Sequence, residues 1–389
     1  MKPDLPFAAV LCAIPVFIWF YLLFARGWFW QVKRHLPPTA SLQSIPSRKV
    51  AVVIPARNEA DVVAQTVSSL LAQDFNGVLR IFLVDDSSTD GTADAAAAAA
   101  IGAGRSDQLT IVYSALREGW TGKMSAVAQG VEQALSMNPD YLLLTDADIY
   151  HDPRNVSQLI AIADEGGYDL VSLMVKLEAR SLAERALIPA FVFFFLLLYP
   201  PAWTGNSRRK TAGAAGGCIL VRPERLRIAG GIAAIRSEII DDCALARIVK
   251  RSGGKLWLGL AEHTRSTRSY GSFKEIERMI SRTAFNQLNH SVALLAGTLL
   301  GLAITYVLPV VCILPGRLDC AALGAVAWLL MALSYVPMVR FYRLNPLWAL
   351  SLPAVAMFYG AATAHSAIKF WRGRGGEWKG RVQDGAANS

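Results

Sequence analysis

Two kinds of apolar run alternate along the chain. Four are uncharged and long enough to cross about 30 Å of hydrocarbon: residues 7–25, 291–316, 320–339 and 344–368. The others are short: VAVVIP (50–55), LRIFLVDD (79–86), LTIVY (109–113) and YLLLTDAD (141–148). Stretches of helical spacing lie between them, at 59–71, an alanine-rich 94–100, and 123–135. This alternation predicts an α/β domain over 49–271, a mostly parallel sheet covered by helices. Membrane helices flank it, an anchor at 1–30 and a group at 291–371. A juxtamembrane linker (31–48), an amphipathic interfacial helix (272–290) and a basic tail (372–389) complete the expected organisation. A further uncharged run, 186–203, carries Pro189, Pro200 and Pro201. These leave only about ten residues of clean helix, shorter than a span needs, so the run is expected at the membrane interface or as a buried helix.

Composition agrees with a mixed chain. With 389 residues, 53% hydrophobic content and a mean hydropathy of +0.34, the protein is too apolar for one ordinary soluble domain. The first run could be a signal peptide. However, no small-residue cleavage site follows it, and Arg26, Trp28, Trp30, Lys33 and Arg34 resemble an interfacial anchor. Those basic residues, with Arg48 and Lys49, place the central domain in the cytoplasm. Three more full spans would then put Lys369, Arg372, Arg374, Lys379 and Arg381 outside, against the same rule. Either one late segment is re-entrant or the tail charges yield to the earlier ones. The net charge of +9 is read as affinity for anionic lipid, with no nucleic acid partner. Cys12, Cys218, Cys243, Cys312 and Cys320 lack zinc-site spacing, and none of the five histidines forms a helical metal-ligand pair. Any metal is therefore expected on oxygen ligands.

In such sheets ligands bind beyond the carboxyl ends of the strands. There the sequence supplies PARNE (55–59), DDSSTDGT (85–92) and TDAD (145–148). Acidic groups from separate strands on one edge repel unless a cation or hydrogen-bond donors compensate. Asp146 and Asp148 can offer hard oxygens to Mg2+ or Mn2+, although aspartates at strand ends also serve as plain caps. In GWTGK (119–123), Lys123 near a helix N-terminus could meet a phosphate, or could be a solvated first-turn lysine. Further on, TAGAAGGCILVRPE (211–224) permits close backbone approach to a ligand, and SEIIDDCALARIVKRSG (237–253) reads as a helix stopped by Gly253. Asp241 and Asp242 in its first turn could balance the helix dipole or serve as a base.

Taken together, VVIPARNE, LVDDSSTDGT, GWTGK, TDAD, AAGGC and EIIDDCAL resemble the family 2 nucleotide-sugar glycosyltransferases of GT-A fold, over about residues 49–290. The resemblance implies an inverting, metal-dependent transferase. Asp85 and Asp86 would contact the nucleoside, with Pro55, Arg57 and Glu59 lining the same pocket. Lys123 and Asp146 would belong to the donor site, Asp148 and Asp146 to the metal, and Gly216, Gly217 and Cys218 to the acceptor side. Asp242 would be the base, with Asp241 as its understudy. Processive members carry Gln or Arg, two residues, then Arg-Trp. This chain has Arg282 followed by Thr283, so Arg282 is kept as a diphosphate contact and transfer of a single sugar is expected. Arg265, Arg268 and Arg278 share the basic 262–290 stretch with Arg282, and at least half of these arginines are read as a helix surface near anionic headgroups. EGWTGKMSAVAQGVEQA, TDADIYHDP, AAGGCILVRPERLRIAGG, WLGLAEHTRS and RTAFNQL further resemble the hopene-associated glycosyltransferases. That implies a nucleotide diphosphate sugar donor, expected as a UDP-sugar, a hopanoid or polyprenoid lipid acceptor, and a multi-pass protein of the bacterial inner membrane. A polyprenyl-phosphate glycosyltransferase and a catalytically silent membrane scaffold remain the alternatives.

Overall fold

A computed structural model describes residues 5–32, 46–314 and 317–376. The chain divides into two compact units. Among the described residues, the sheet unit comprises 46–178 and Trp203–Ser269, and the helical unit comprises 5–32, Ala179–Ala202 and Tyr270–Gly376.

The sheet unit holds eight strands: β1 (Lys49–Ala56), β2 (Val78–Asp85), β3 (Leu109–Tyr113), β4 (Tyr141–Leu144), β5 (Ile149–Tyr150), β6 (Leu170–Lys176), β7 (Ile219–Val221) and β8 (Leu256–Ser266). Their spatial order is β3-β2-β1-β4-β7-β6-β8-β5. The first four are mutually parallel, as is β6 with β8, whereas β7 runs antiparallel to both β4 and β6, and β5 to β8. The mostly parallel sheet expected from the sequence is therefore present, as a GT-A fold. β1 is buried on both faces, which suits a central strand of such a sheet. Val50, Val52 and Ile54 pack with the helices Val63–Leu71 and Asn155–Gly166, while Ala51 and Val53 face the helices Gly122–Leu135 and Asp241–Arg251. Gly130 lets the helix Gly122–Leu135 lie close on the sheet, because a Cβ there would stand 2.5 Å from Val84 and 2.6 Å from Val53. The fourth strand stops at Leu144 rather than 148, so TDAD leaves the sheet as a loop before β5. Residues 262–266, read as the start of the basic stretch 262–290, are instead the end of the edge-proximal strand β8.

The helical unit contains Leu5–Phe24, Leu182–Leu198, Phe273–Ser281, Val292–Leu302 continued by a π-helical turn and Leu308–Val311, Leu318–Phe341, and Pro346–Ser351 running into Leu352–Trp371. Four stretches are long and apolar enough to cross a membrane: Leu182–Thr204, Val292–Val311, Leu318–Phe341 and Pro346–Trp371; Ala8–Phe24 is a shorter apolar helix. The reading of 186–203 as about ten residues of clean helix is corrected: the helix Leu182–Leu198 runs 17 residues through Pro189. A capping box starts it, Ser181 accepting from the Glu184 N–H and Glu184 accepting from the Ser181 N–H. Pro189 sacrifices a single backbone bond, and its buried setting compensates by packing. Glu184 also accepts the backbone N–H groups of Arg180 (2.9 Å) and Tyr270 (2.6 Å). Most of the expected linker (31–48) and of the expected basic tail (372–389) falls outside the described residues.

Candidate active site

The loops after β1 and β2 are tied to each other before any ligand is considered. Asn58, at φ 51°, donates its N–H to Ser88 Oγ (3.0 Å) and accepts from the Thr89 N–H (2.9 Å). The left-handed region tolerates Asn better than most side chains. Glu59 N donates to Thr92 Oγ1 (2.9 Å) and Ala60 N to Asp90 Oδ2 (3.0 Å). DDSSTDGT thus spends Asp90 and Thr92 on holding PARNE. Asp85 accepts the Ser88 N–H (2.9 Å), and the buried Asp86 faces Arg57 at 3.6 Å.

Lys123 stands in the first turn of the helix Gly122–Leu135, whose N-cap Thr121 accepts from the Met124 N–H. Its ammonium reaches Asp146 at 2.9 Å and Asp241 at 3.2 Å, joining the loop after β4 to the helix Asp241–Arg251. Burial alone would lower its pKa, but Asp146 and Asp241 outweigh burial and hold it well above the usual lysine range. Asp242 accepts the Gly216 N–H on Oδ2 (2.8 Å) and the Cys243 N–H on Oδ1 (2.7 Å). Burial, and then the neighbouring Asp241 charge, push its pKa up to about 6 against the opposing pull of Lys123 and the two N–H groups. A carboxylate so placed is a stronger base than an exposed aspartate and is still ionised at neutral pH. A Cβ on Gly216 would lie 3.4 Å from Asp242 Oδ2 and 3.6 Å from Lys123 Nζ, so the glycine brings backbone against both. Pro55, Lys123, Asp146, Gly216 and Asp241 border one small open pocket, lined also by Met124, Val127, Ile219 and Leu245.

Asp148 was expected as a metal ligand, and its partners are residues that the sequence reading left elsewhere. Arg268, read among possible headgroup-facing arginines, sits just after β8 and donates Nε to Asp148 Oδ2 (3.0 Å) and Nη2 to Glu59 Oε2 (2.6 Å). The two carboxylates raise its pKa further against its burial. Ser266 Oγ adds a bond to Asp148 Oδ2 (3.3 Å). The available signal was the strand preceding it, LWLGLAEHTRS, whose end delivers Arg268 to the same edge as TDAD. His151 was also missed. It is fully buried, and burial lowers its pKa to about 3, so it is neutral. Thr145 Oγ1 donates to Gly217 O (2.7 Å), which leaves it to accept from His151 Nε2 (3.0 Å), while Asn155 Nδ2 donates to His151 Nδ1 (2.9 Å). This network ties TDAD to the glycine segment.

Cys218 is placed differently from its acceptor-side reading: its side chain is fully buried in the core, 3.6 Å from Asn155 Nδ2. A Cβ on Gly217 would stand 2.9 Å from Val175, so this glycine serves packing beneath the loop. Arg282 belongs to the helical unit, as the exposed C-cap of Phe273–Ser281, and is not among the clustered residues. Pro55, Arg57, Glu59, Asp85, Asp86, Lys123, Asp146, Asp148, Gly216, Asp241 and Asp242 all lie in the sheet unit. Among the described residues no three His, Cys, Asp or Glu side chains form a metal cage. Asp146 and Asp148 alone suit Mg2+ or Mn2+, which take one or two carboxylates and complete their shell with substrate phosphate and water.

Residues 51–224 match the family model described as Glycosyl transferase family 2. The chain is similar to an undecaprenyl-phosphate 4-deoxy-4-formamido-L-arabinose transferase of Serratia proteamaculans (strain 568), with 33% identity over 128 residues, 32% of this chain and 36% of that protein. It therefore spans about a third of the length of this curated relative. Its fold is similar to that of the mannosyltransferase PcManGT from Pyrobaculum calidifontis, solved in complex with GDP-Man and Mn2+. The TM-score is 0.57 at 18% sequence identity, covering 93% of this chain and 99% of the other.

Proposed function

We propose that the protein is a membrane-bound inverting glycosyltransferase that moves one sugar from a nucleotide diphosphate sugar to a membrane lipid. The observation that carries this reading is the Lys123–Asp146–Asp241 cluster beside Asp242, at the mouth of a pocket on the ligand edge of the sheet. The stapled loops carrying Arg57, Glu59, Asp85 and Asp86 hold the nucleoside. Lys123 answers the diphosphate charge and positions Asp146. A divalent cation on Asp148 and Asp146, Mg2+ or Mn2+, would neutralise charge on the departing diphosphate. Asp242 accepts the proton as the acceptor oxygen bonds to the anomeric carbon, and the carbon–oxygen bond to the diphosphate breaks with its electrons leaving on the nucleotide. Attack from the face opposite the diphosphate inverts the anomeric centre. The Mn2+ and GDP-Man of the similar fold support the cation and donor classes, while the UDP form is expected from the sequence.

Two acceptors fit a lipid substrate. A hopanoid or other polyprenoid hydroxyl needs the base, and Asp242 near pKa 6 favours it. A polyprenyl phosphate arrives ionised, and the name of the Serratia relative favours it. Retention of most activity in Asp242→Asn would select the phosphate. The first test is calorimetric titration of the detergent-solubilised protein with a panel of nucleotide sugars, with and without Mn2+. Binding of one donor that depends on Mn2+ and on Asp148 supports the transferase. A folded protein that binds none of them is the silent scaffold.

A further inference from the structure

The positive-inside conflict in the sequence has a structural answer within the helical unit. We infer that the chain crosses the membrane three times, and that the sheet unit and the C-terminal tail lie on the same side of it. The proposal is independent of the activity.

The helix Leu182–Leu198 is apolar enough to span, yet β6 precedes it and β7 follows it in one hydrogen-bonded sheet. A sheet cannot have strands on both sides of a bilayer, so the chain leaves and returns on one side. Contacts within the helical unit agree. The helix begins with Glu184 holding Tyr270, the first residue after the sheet unit, and near its end Leu197 O accepts Arg26 Nε (3.1 Å), just past Leu5–Phe24. Two residues on, Tyr199 Oη accepts Gln287 Nε2 (2.8 Å), a few residues before the helix Val292–Leu302. This places the C-terminal end of the first apolar helix and the start of the late group at one level.

The end of the late group returns to that level. His290 stacks on Phe370 with ring centroids 4.0 Å apart, Phe285 packs edge-on against Phe370 and Trp371, and Lys369 Nζ donates to Ser281 Oγ (2.7 Å). Residues 290 and 370 therefore share a face, and the chain between them crosses an even number of times. Cys12, Cys312 and Cys320 pack together at the opposite end, which marks the turn from Val292–Val311 into Leu318–Phe341. These two helices supply both crossings. Pro346–Trp371 then rises obliquely to the first face without traversing; the bond from Trp328 Nε1 to Leu350 O (3.2 Å) puts its early part beside the middle of Leu318–Phe341.

Charge follows the same division. Arg26, Arg278, Arg282, Lys369, Arg372 and Arg374 flank the elements that end at the first face, where Lys369 also has Glu277 at 3.7 Å, and at the far turn Arg317 is paired with Asp319 at 2.7 Å. All the basic flanks then obey the positive-inside rule, and the first face suits the anionic cytoplasmic leaflet.

The five native cysteines are buried, which allows single accessible cysteines to be read in the full chain. In intact spheroplasts of an expressing bacterium, a membrane-impermeant maleimide should label Leu314→Cys. It should leave Ser207→Cys and a cysteine appended after Ser389 unlabelled until lysis. Full-length protein carrying green fluorescent protein at the C-terminus should fluoresce, and alkaline phosphatase inserted after Leu314 should be active. Labelling of the appended cysteine in intact cells, or a dark C-terminal fusion with active phosphatase in its place, overturns the even crossing. Outside labelling of Ser207→Cys overturns the non-spanning helix, and an inactive phosphatase after Leu314 overturns the far turn.

Discussion

The two halves of the sheet solve the same problem differently. In the half built from β1 to β4, acidic side chains are held by other side chains and loop N–H groups contributed by neighbouring strand ends, as Asp90 and Thr92 hold the loop after β1. In the half built from β5 to β8, Asp242, the proposed base, takes its hydrogen bonds from the backbone N–H groups of Gly216 and Cys243. The first arrangement leaves carboxylates with charged partners, suited to grip a charged ligand. The second leaves one carboxylate with a raised pKa, suited to take a proton.

The sharpest break in that comparison should come from Asp148→Ala, which is expected to remove metal-dependent turnover and Mn2+-dependent donor binding together, while circular dichroism shows a folded protein. Asp242→Asn should keep the donor Kd within about twofold and, for a hydroxyl acceptor, lower kcat about 10³-fold. Matched loss of binding in both variants would erase the distinction between the halves. Because the base must be ionised, the wild-type rate should rise with pH to a plateau above about 6 and fall roughly tenfold per unit below it, and this limb should vanish in Asp242→Asn. Thr145→Val should be mildest in catalysis, since it cuts the tie between the halves and leaves the buried His151 N–H and Gly217 carbonyl without Thr145. A loss of about 1–3 kcal/mol in denaturant unfolding is expected.

The same division explains what the sequence disclosed. In the first half, each strand is a compact apolar run ending in a polar cluster, so strands, helices and the edge that gathers Glu59, Asp86 and Asp146 could be placed from periodicity and spacing, while Lys123 joined them only through the family resemblance. The second half hides its strands. β7 is three residues long inside a glycine-rich stretch, and β8 mixes Glu262, His263 and Arg265 into its pattern because it pairs with only the two-residue β5 on its outer side. Arg268 could not be assigned without β8, since nothing local distinguishes it from Arg265, which instead covers the ring of Tyr150 at 4.5 Å. Cys218 points into the core, packed with Leu143, Leu173 and Leu220, and the glycine-rich stretch before β7 gives no periodic pattern from which that burial could be read. The helix Leu182–Leu198 was underestimated because a proline was counted as a break, although one lost bond within a well-packed helix is tolerated.

The clasp between Glu184 and Tyr270 joins residues 86 apart in sequence. At about 5–20 residues per second, a ribosome needs roughly 4–17 s to make that interval. For that time the nascent apolar helix has neither its clasp nor the last strand of the sheet. A lipid surface is the available shelter, so attachment to the membrane precedes completion of the sheet. Ribosome-stalled chains that lack residues 1–30 and end before Tyr270 should already sediment with membranes.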